Sequence, residues 1–271
     1  MITHCISTYN NLDYLKLAVK SVRKNSYYKD APFIIHAENC TDGTDEWLKE
    51  NSDKYQLEYY IDRVKTKFIN FLHSDFYVAK DWDINLLKVH EQHKSKVWVF
   101  SQRIQPNIFR EQSRVGTLVV PIDEFGDYHH NFNEEYFLKY AEELSNINDF
   151  EVNKEEGVSG LILKEDWDEI GGNDPLFAPA SWDDKDIFLR AALKGYKFPL
   201  TSKSVVWHFG ARGSHRLEEN QGKTDARQIK AEKDNAIKWL SKWNKYPSFD
   251  KNSSILPEGM SIIDSYKENY K

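Results

Sequence analysis

Four polar clusters stand where apolar runs end or helices begin. "STYNN" (7–11) follows the run from Ile2 to Ser7, and "AENCTDGT" (37–44) follows Phe33 to His36. "HSD" (73–75) closes the most apolar run of the chain, Phe68 to Leu72. "WDDKD" (182–186) opens a helical pattern, with "WHFGARGSH" (207–215) downstream. Carboxylates and imidazoles at strand tips suit the chemistry of hard divalent cations and of phosphates. Paired carboxylates at a helix start suit proton transfer. Each cluster also has a plainer reading. Asn10 and Asp42 fit helix caps. Asp183, Asp184 and Asp186 fit the positive end of a helix dipole. His208 fits a core histidine, and Asp75 fits a turn cap before Asp81-Trp82.

The elements that must carry these groups alternate strand and helix. Ile2–Ser7 reads as a strand, followed by a helix with the stripe Leu12, Leu15, Val19 and Val22. Phe33–His36 is a second strand, followed by a helix capped from Thr41 or Asp42. Leu57–Ile61 reads as a third strand and Phe68–Leu72 as a fourth. Only six residues, "DRVKTK", separate these two. Parallel neighbours need a crossover of roughly a dozen residues, so 57–61 is expected to be antiparallel or irregular. A helix is expected over 83–93, strands over 97–100 and within "GTLVVPI", and a helix in "NEEYFLKYAEEL". A strand at 157–163 leads to a short helix ending at Gly171-Gly172. The pattern then gives a helix over 183–193 and a final strand "KSVVWHFG". A C-terminal helix follows, with Ile229, Ala236, Ile237 and Leu240 as its apolar positions, and then a polar surface tail. Strands separated by helices predict an α/β fold with a mixed, mostly parallel sheet. In such sheets ligands bind at the carboxyl ends of the strands.

Bulk properties narrow the function. The chain has 271 residues and a net charge of −6, which argues against general nucleic-acid binding. The aromatic content, 8 Trp, 15 Tyr and 15 Phe, suits a sugar-binding surface as well as a core. Two cysteines, Cys5 and Cys40, make neither a disulfide framework nor a zinc site. No apolar run reaches the roughly 18 residues of a membrane span. No signal peptide is visible, so a cytoplasmic protein is the default expectation.

Taken in order, the motifs resemble the family 2 glycosyltransferases, which have the GT-A fold (Rossmann-like, nucleotide-diphospho-sugar binding). "ISTYNNLDYLKLAVKSV" is similar to that family's opening strand and helix. "IIHAENCTDGTDEWL" is similar to its second strand and acidic turn, and "INFLHSD" stands where it has Asp-x-Asp. "EDWDEIGGNDPLF", "WDDKDIFLRAALKGYK" and "VWHFGARGSH" resemble its later motifs. The likeness runs over most of residues 2–246 and is weak in the middle third. It implies a domain over 1–215, with a nucleotide-sugar half (1–100) and an acceptor half (101–215), and a C-terminal helix and tail over 216–271.

The resemblance also implies roles. Asp75 and His208 would hold Mn²⁺ or Mg²⁺, the imidazole favouring Mn²⁺. Thr8, Tyr9, Glu38, His73, Ser74 and Asp75 would line the donor site. Asp184, with Asp183 as alternate, would take the proton of an acceptor hydroxyl. The expected reaction is metal-dependent and inverting, from a nucleotide sugar (a UDP-sugar) to a hydroxyl of a glycan or other acceptor. Tyr128, His129, His130 and Trp182 would face that acceptor, or His129-His130 is no more than a polar loop. Two departures from the family stand out. His73 replaces the first Asp of Asp-x-Asp, and the short "DRVKTK" link leaves no room for a helix that walls the donor pocket. Arg63, Lys65 or Lys67 would then stand in for it, or the pocket is more open. The rival reading is a catalytically silent relative that binds glycans or nucleotides. No Gly-rich phosphate loop follows the first strand, which argues against a nucleotidyltransferase or a dinucleotide-binding dehydrogenase.

Overall fold

A computed structural model describes residues 2–37, 39–53, 63–93, 96–108, 113, 116–147, 151–153, 159–210, 212 and 226–244. The expected strand at 57–61 and the C-terminal tail lie outside these residues.

Alternation along each strand sends side chains to two cores. In β1 (Ile2–Thr8), Ile2 and Ile6 face one side and Cys5 the other. In β3 (Phe68–His73), Phe68 and Leu72 join the first core and Ile69 the second. The first core is closed by α1 (Leu12–Asn25) through Leu15, Val19 and Val22, and by α3 (Trp82–Gln92) through Trp82 and Leu86. The second is closed by α6 (Lys164–Ile170) and α7 (Asp183–Leu193), with Trp98 and Phe100 of β5 (Trp98–Pro106) pressed against Phe188. A sheet covered on both faces is what the near-continuous apolar run of β3 and the opening Trp98–Phe100 of β5 require.

Among the described residues nine strands form one mixed sheet. Its main order is β2-β1-β3-β8-β5-β9-β4, with β6 on β5 and β7 on β9. The remaining strands are β2 (Phe33–Ala37), β4 (Phe76–Val78), β6 (Thr117–Val120), β7 (Glu151–Asn153), β8 (Gly160–Leu163) and β9 (Pro199–His208). β2, β1 and β3 run parallel, as do β5, β6 and β9. β8 is antiparallel to both β3 and β5, so all six parallel strands point the same way. The expected α/β class and mostly parallel sheet are therefore present. Helices α2 (Thr44–Glu50), α4 (Ile122–Phe125) and α5 (Glu134–Ile147) complete the periphery, and α8 (Ala226–Trp243) packs against α7.

Three local readings change. β4, hidden in the aromatic stretch after Asp75, is a short edge strand whose three residues are too few for a visible period. β7 falls in the stretch with no clear pattern. The apolar positions assigned to α8 do not face inward: Ile229 is 46% exposed, Ile237 66% and Leu240 38%. Its buried residues are Gln228, Asn235 and Trp239. The surface under α8 offers backbone carbonyls, so amide donors rather than aliphatic groups are needed there.

Candidate functional site

The path from β3 to β4 builds the centre of the site. β3 lies beside β1, whereas β4 pairs with β9 at the far edge of the sheet. The two-residue link Ser74-Asp75 can join them only because the sheet curls back on itself, which sets these two residues at its carboxyl edge. β4 pairs antiparallel with β9 so that Phe76 stands opposite His208. The Phe209 N–H donates to the Asp75 carbonyl, 3.1 Å away. This register places two groups 133 positions apart side by side: His208 Nε2 lies 3.3 Å from Asp75 Oδ2. His73 stacks on Phe76 at 4.9 Å and presents its ring edge-on to His208 at 6.1 Å.

His73, Asp75 and His208 each offer one ligand atom within 4.8 Å of the others. Asp75 is 1% exposed, and among the described residues its Oδ2 has the His208 ion-pair contact but no hydrogen bond of normal geometry. Burial pushes its carboxyl upward, but the neighbouring His208, with His73 and the Arg212 backbone N–H, outweighs it and holds the pKa at about 2. A buried, ionised carboxylate with a spare oxygen beside two imidazoles is an arrangement that fits a divalent cation. One oxygen and two nitrogens suit Mn²⁺ better than Mg²⁺.

The turns after β1 and β2 are fastened to each other. Thr8 Oγ1 donates to Asn11 Oδ1, and Asn11 Nδ2 donates to Ser74 Oγ at 2.7 Å. Asn10 Oδ1 accepts from the Thr41 N–H at 2.7 Å. Asp42 accepts from the Leu12 N–H at 2.8 Å and from the Thr44 hydroxyl at 2.6 Å. The cap-like reading of Asp42 is thus met, although it ties two turns together as well. Thr8 and Ser74 are buried and engaged in this link. Tyr9 is half-buried and carries the Arg227 guanidinium over its ring at 3.5 Å. Glu38 lies outside the described residues. Lys67 immediately precedes β3, at the amino edge, so it stands a full strand away from His73.

The acidic helix start reaches the same edge. The link from α7 to β9 passes Lys197, which bridges Val97 at the amino edge. From there the eleven residues of α7 run back about 16 Å, at 1.5 Å per residue, towards the carboxyl edge. Asp183 is half-buried and Asp184 exposed. Burial, and then the charge of Asp184, push the Asp183 carboxyl up to about 6. Asp184 Oδ1 accepts from the Lys185 N–H at 2.7 Å. Asp186 and Arg190 form a structural pair one helical turn apart, with Arg190 Nε donating at 2.8 Å to a fully buried carboxylate.

One group escaped the sequence reading. Arg212 is 2% exposed, four residues beyond His208. Its Nη2 lies 3.3 Å from Asp127 Oδ2, and its guanidinium lies 4.0 Å from the Tyr128 ring centre. Nε and Nη1 are buried without a hydrogen-bond partner among the described residues. The only signal was a cation inside the Gly-flanked run "GARG". Asp127 and Tyr128 come from the middle third, where the resemblance is weakest. His129 of the same loop packs on Tyr14 and sits 3.8 Å from Asp13. Trp182 turns towards α8, its indole N–H donating to the Glu232 carbonyl at 3.1 Å.

The fold, a mixed sheet flanked by helices, matches that of GT-A glycosyltransferases among solved structures. No family model and no curated protein matches the sequence. Solved structures do match in fold. A crystal structure of GalNAc-T7 with UDP, GalNAc and Mn²⁺ is similar with a TM-score of 0.57 at 15% identity, over 100% of this chain and 55% of that one. S. aureus TarS is similar with a TM-score of 0.53 at 11% identity, over 95% of this chain and 46% of that one. A shorter form, TarS 1–349 in complex with UDP-GlcNAc, gives 0.53 at 10% identity, over 100% and 81%. The chain thus spans about half the length of the first two. These likenesses concern the fold.

Proposed function

We propose that the protein is a glycosyltransferase that moves a sugar, with inversion, from a UDP-sugar to a hydroxyl of a glycan or other acceptor. The observation that carries this reading is the His73–Asp75–His208 cluster at the carboxyl edge of the sheet, with the raised carboxyl of Asp183 on the same edge. The UDP and UDP-GlcNAc in the similar structures support the donor class. His73 in place of an aspartate does not empty the site, because its ring joins the other two ligands.

Asp75, His208 and His73 would hold a divalent cation, which when bound neutralises charge on the donor diphosphate. Arg212 is suited to the same diphosphate, because two of its guanidinium nitrogens, Nε and Nη1, are buried without partners among the described residues. Asp183 is the better base of the two carboxylates. Its pKa of about 6 leaves it ionised at neutral pH yet basic enough to accept a proton. The acceptor hydroxyl gives its proton to Asp183 as its oxygen attacks the anomeric carbon. The bond from that carbon to the diphosphate breaks on the opposite face, and UDP leaves with the electron pair. Attack opposite the leaving group inverts the anomeric centre.

The test is release of UDP from a panel of UDP-sugars with Mn²⁺. Wild-type protein should turn over at least one donor, and Asp75→Asn should not. Equal rates in the two proteins, or none in wild type with any donor, would sink the reading.

A further inference from the structure

Two consecutive residues just before Asp183 carry positive φ angles: Ser181 at 75° and Trp182 at 71°. Side chains disfavour this left-handed region, and neither residue is glycine or asparagine. Such strain persists only where the surroundings over-determine it, and it concentrates at functional sites. Here the surroundings are α8. Asn235 Nδ2 lies 2.6 Å from the Phe177 carbonyl, 2.8 Å from that of Ala180 and 2.9 Å from that of Ser181. Asn235 is 1% exposed, and its Oδ1 is buried without a partner. Its amide is thus committed to this turn at the expense of its own oxygen. Gln228 Nε2 donates to Ser181 Oγ. Trp182 donates to the Glu232 carbonyl and packs on Trp239 at 5.5 Å.

The same helix reaches the opposite wall of the site, where Arg227 covers Tyr9. At its other end Lys242 Nζ is 2.6 Å from Asp186 Oδ1, and Trp243 Nε1 is 2.9 Å from it. A helix that merely covered apolar surface would not spend buried amides on one strained turn. Its apolar anchor is the fully buried Trp239, while Ile229, Ile237 and Leu240 stay exposed, so the rest of its buried face is the amides of Gln228 and Asn235.

We infer that α8 is a working part of the site, and that Asn235 is a positioning residue that holds the strained Ser181-Trp182 turn and so aims Asp183. This inference rests on the reading of Asp183 as the base. Asn235 touches no reacting atom in this account. It acts through the turn.

The test uses the full chain with Asn235→Leu, which keeps the side-chain size and removes the donor. Gln228→Ala is the milder lesion should the first variant fail to fold. Displacing a reacting group by about an ångström can cost roughly a hundredfold, so kcat should fall roughly tenfold to a hundredfold with donor KM within about twofold. Gln228→Ala should show the same split with a smaller loss. Amide hydrogen exchange provides a readout that needs no turnover. Exchange of residues 181–184 should speed up at least about tenfold in the variants, while β1 and β3 stay unchanged. Unchanged kcat with unchanged exchange would overturn the inference. So would a parallel rise in KM and exchange across the whole sheet, which marks general destabilisation. If wild type transfers no sugar, the functional reading fails, and the exchange data alone decide whether Asn235 holds the turn.

Discussion

His208 Nε2 stands 3.3 Å from the buried Oδ2 of Asp75, and the pairing of β4 with β9 is what puts it there. The site therefore depends on a three-residue edge strand. Neither residue is held by its own strand alone: Asp75 lies in the link between β3 and β4, and His208 ends β9. Shifting the β4 register by one residue would turn Phe76 away from His208 and separate the two candidate ligands.

Proton removal should follow Asp183. With its pKa raised to about 6, the base is protonated and inactive in acid. The rate should rise with pH through about 6 and level off above it. Asp183→Asn should lower kcat by at least about a hundredfold, as expected for loss of a general base, whereas Asp184→Asn should keep most of the rate. A pH–rate profile of the three proteins checks this. The sign for stability is the reverse. A carboxyl whose folded pKa is raised stabilises the fold below its unfolded value and loses that contribution as pH rises through about 6. Asp183→Asn should therefore melt at a higher temperature than wild type at pH 7.5, and the gap should close near pH 4.

Arg212 should read the diphosphate. Removing a buried guanidinium that bonds an anion weakens binding by about 2 kcal/mol or more, so Arg212→Ala should lose UDP affinity roughly thirtyfold. Calorimetry with UDP and with uridine separates the two moieties: the loss should appear for UDP and not for uridine.

Asp186 should matter for stability rather than chemistry. It is fully buried and is approached by Arg190, Lys242 and Trp243. Breaking such a group on one side costs about 3–5 kcal/mol, because the remaining charges stay buried. Asp186→Ala should lower the urea midpoint accordingly, and Arg190→Leu should do so too.

His4 adds an acid-sensitive term. It is wholly buried between Phe33 and Trp82, and both ring nitrogens lack hydrogen-bond partners. Burial, with the Arg23 charge, lowers its pKa from 6.5 to about 3. Stability from keeping it neutral is complete above pH 6.5 and lost as pH falls towards 3. At pH 5 the loss is about 2 kcal/mol. His4→Leu should lack this slope, which denaturant unfolding at pH 7.5 and pH 5 would detect.

Much of this was legible in the sequence. The runs ending at Thr8, Ala37 and His73 carry apolar residues followed by polar clusters, and those polar tips lie at one edge because parallel strands share a direction. The start of α7 was marked by its acidic first turn. What could not be read is what depends on pairing. β4 is too short to show a period, so nothing announced that Phe76 would meet His208 and draw His73 into the cluster. Arg212 carried no local signal, because its partners Asp127 and Tyr128 are some 85 positions away. The buried face of α8 differs from the aliphatic stripe because one aromatic, Trp239, and two amides, Gln228 and Asn235, fill it.

The central claim is that Asp75, His208 and His73 form a cation site serving a nucleotide sugar. Titration of Mn²⁺ into the protein with UDP present, followed by electron paramagnetic resonance, tests it most directly. Wild type should bind about one Mn²⁺ per chain, with UDP tightening the binding, as expected if the cation neutralises charge on the diphosphate. Asp75→Asn and His208→Ala should each abolish that UDP-linked binding while the fold persists. UDP-linked Mn²⁺ binding that survives both substitutions, or its absence from wild type, would contradict the account.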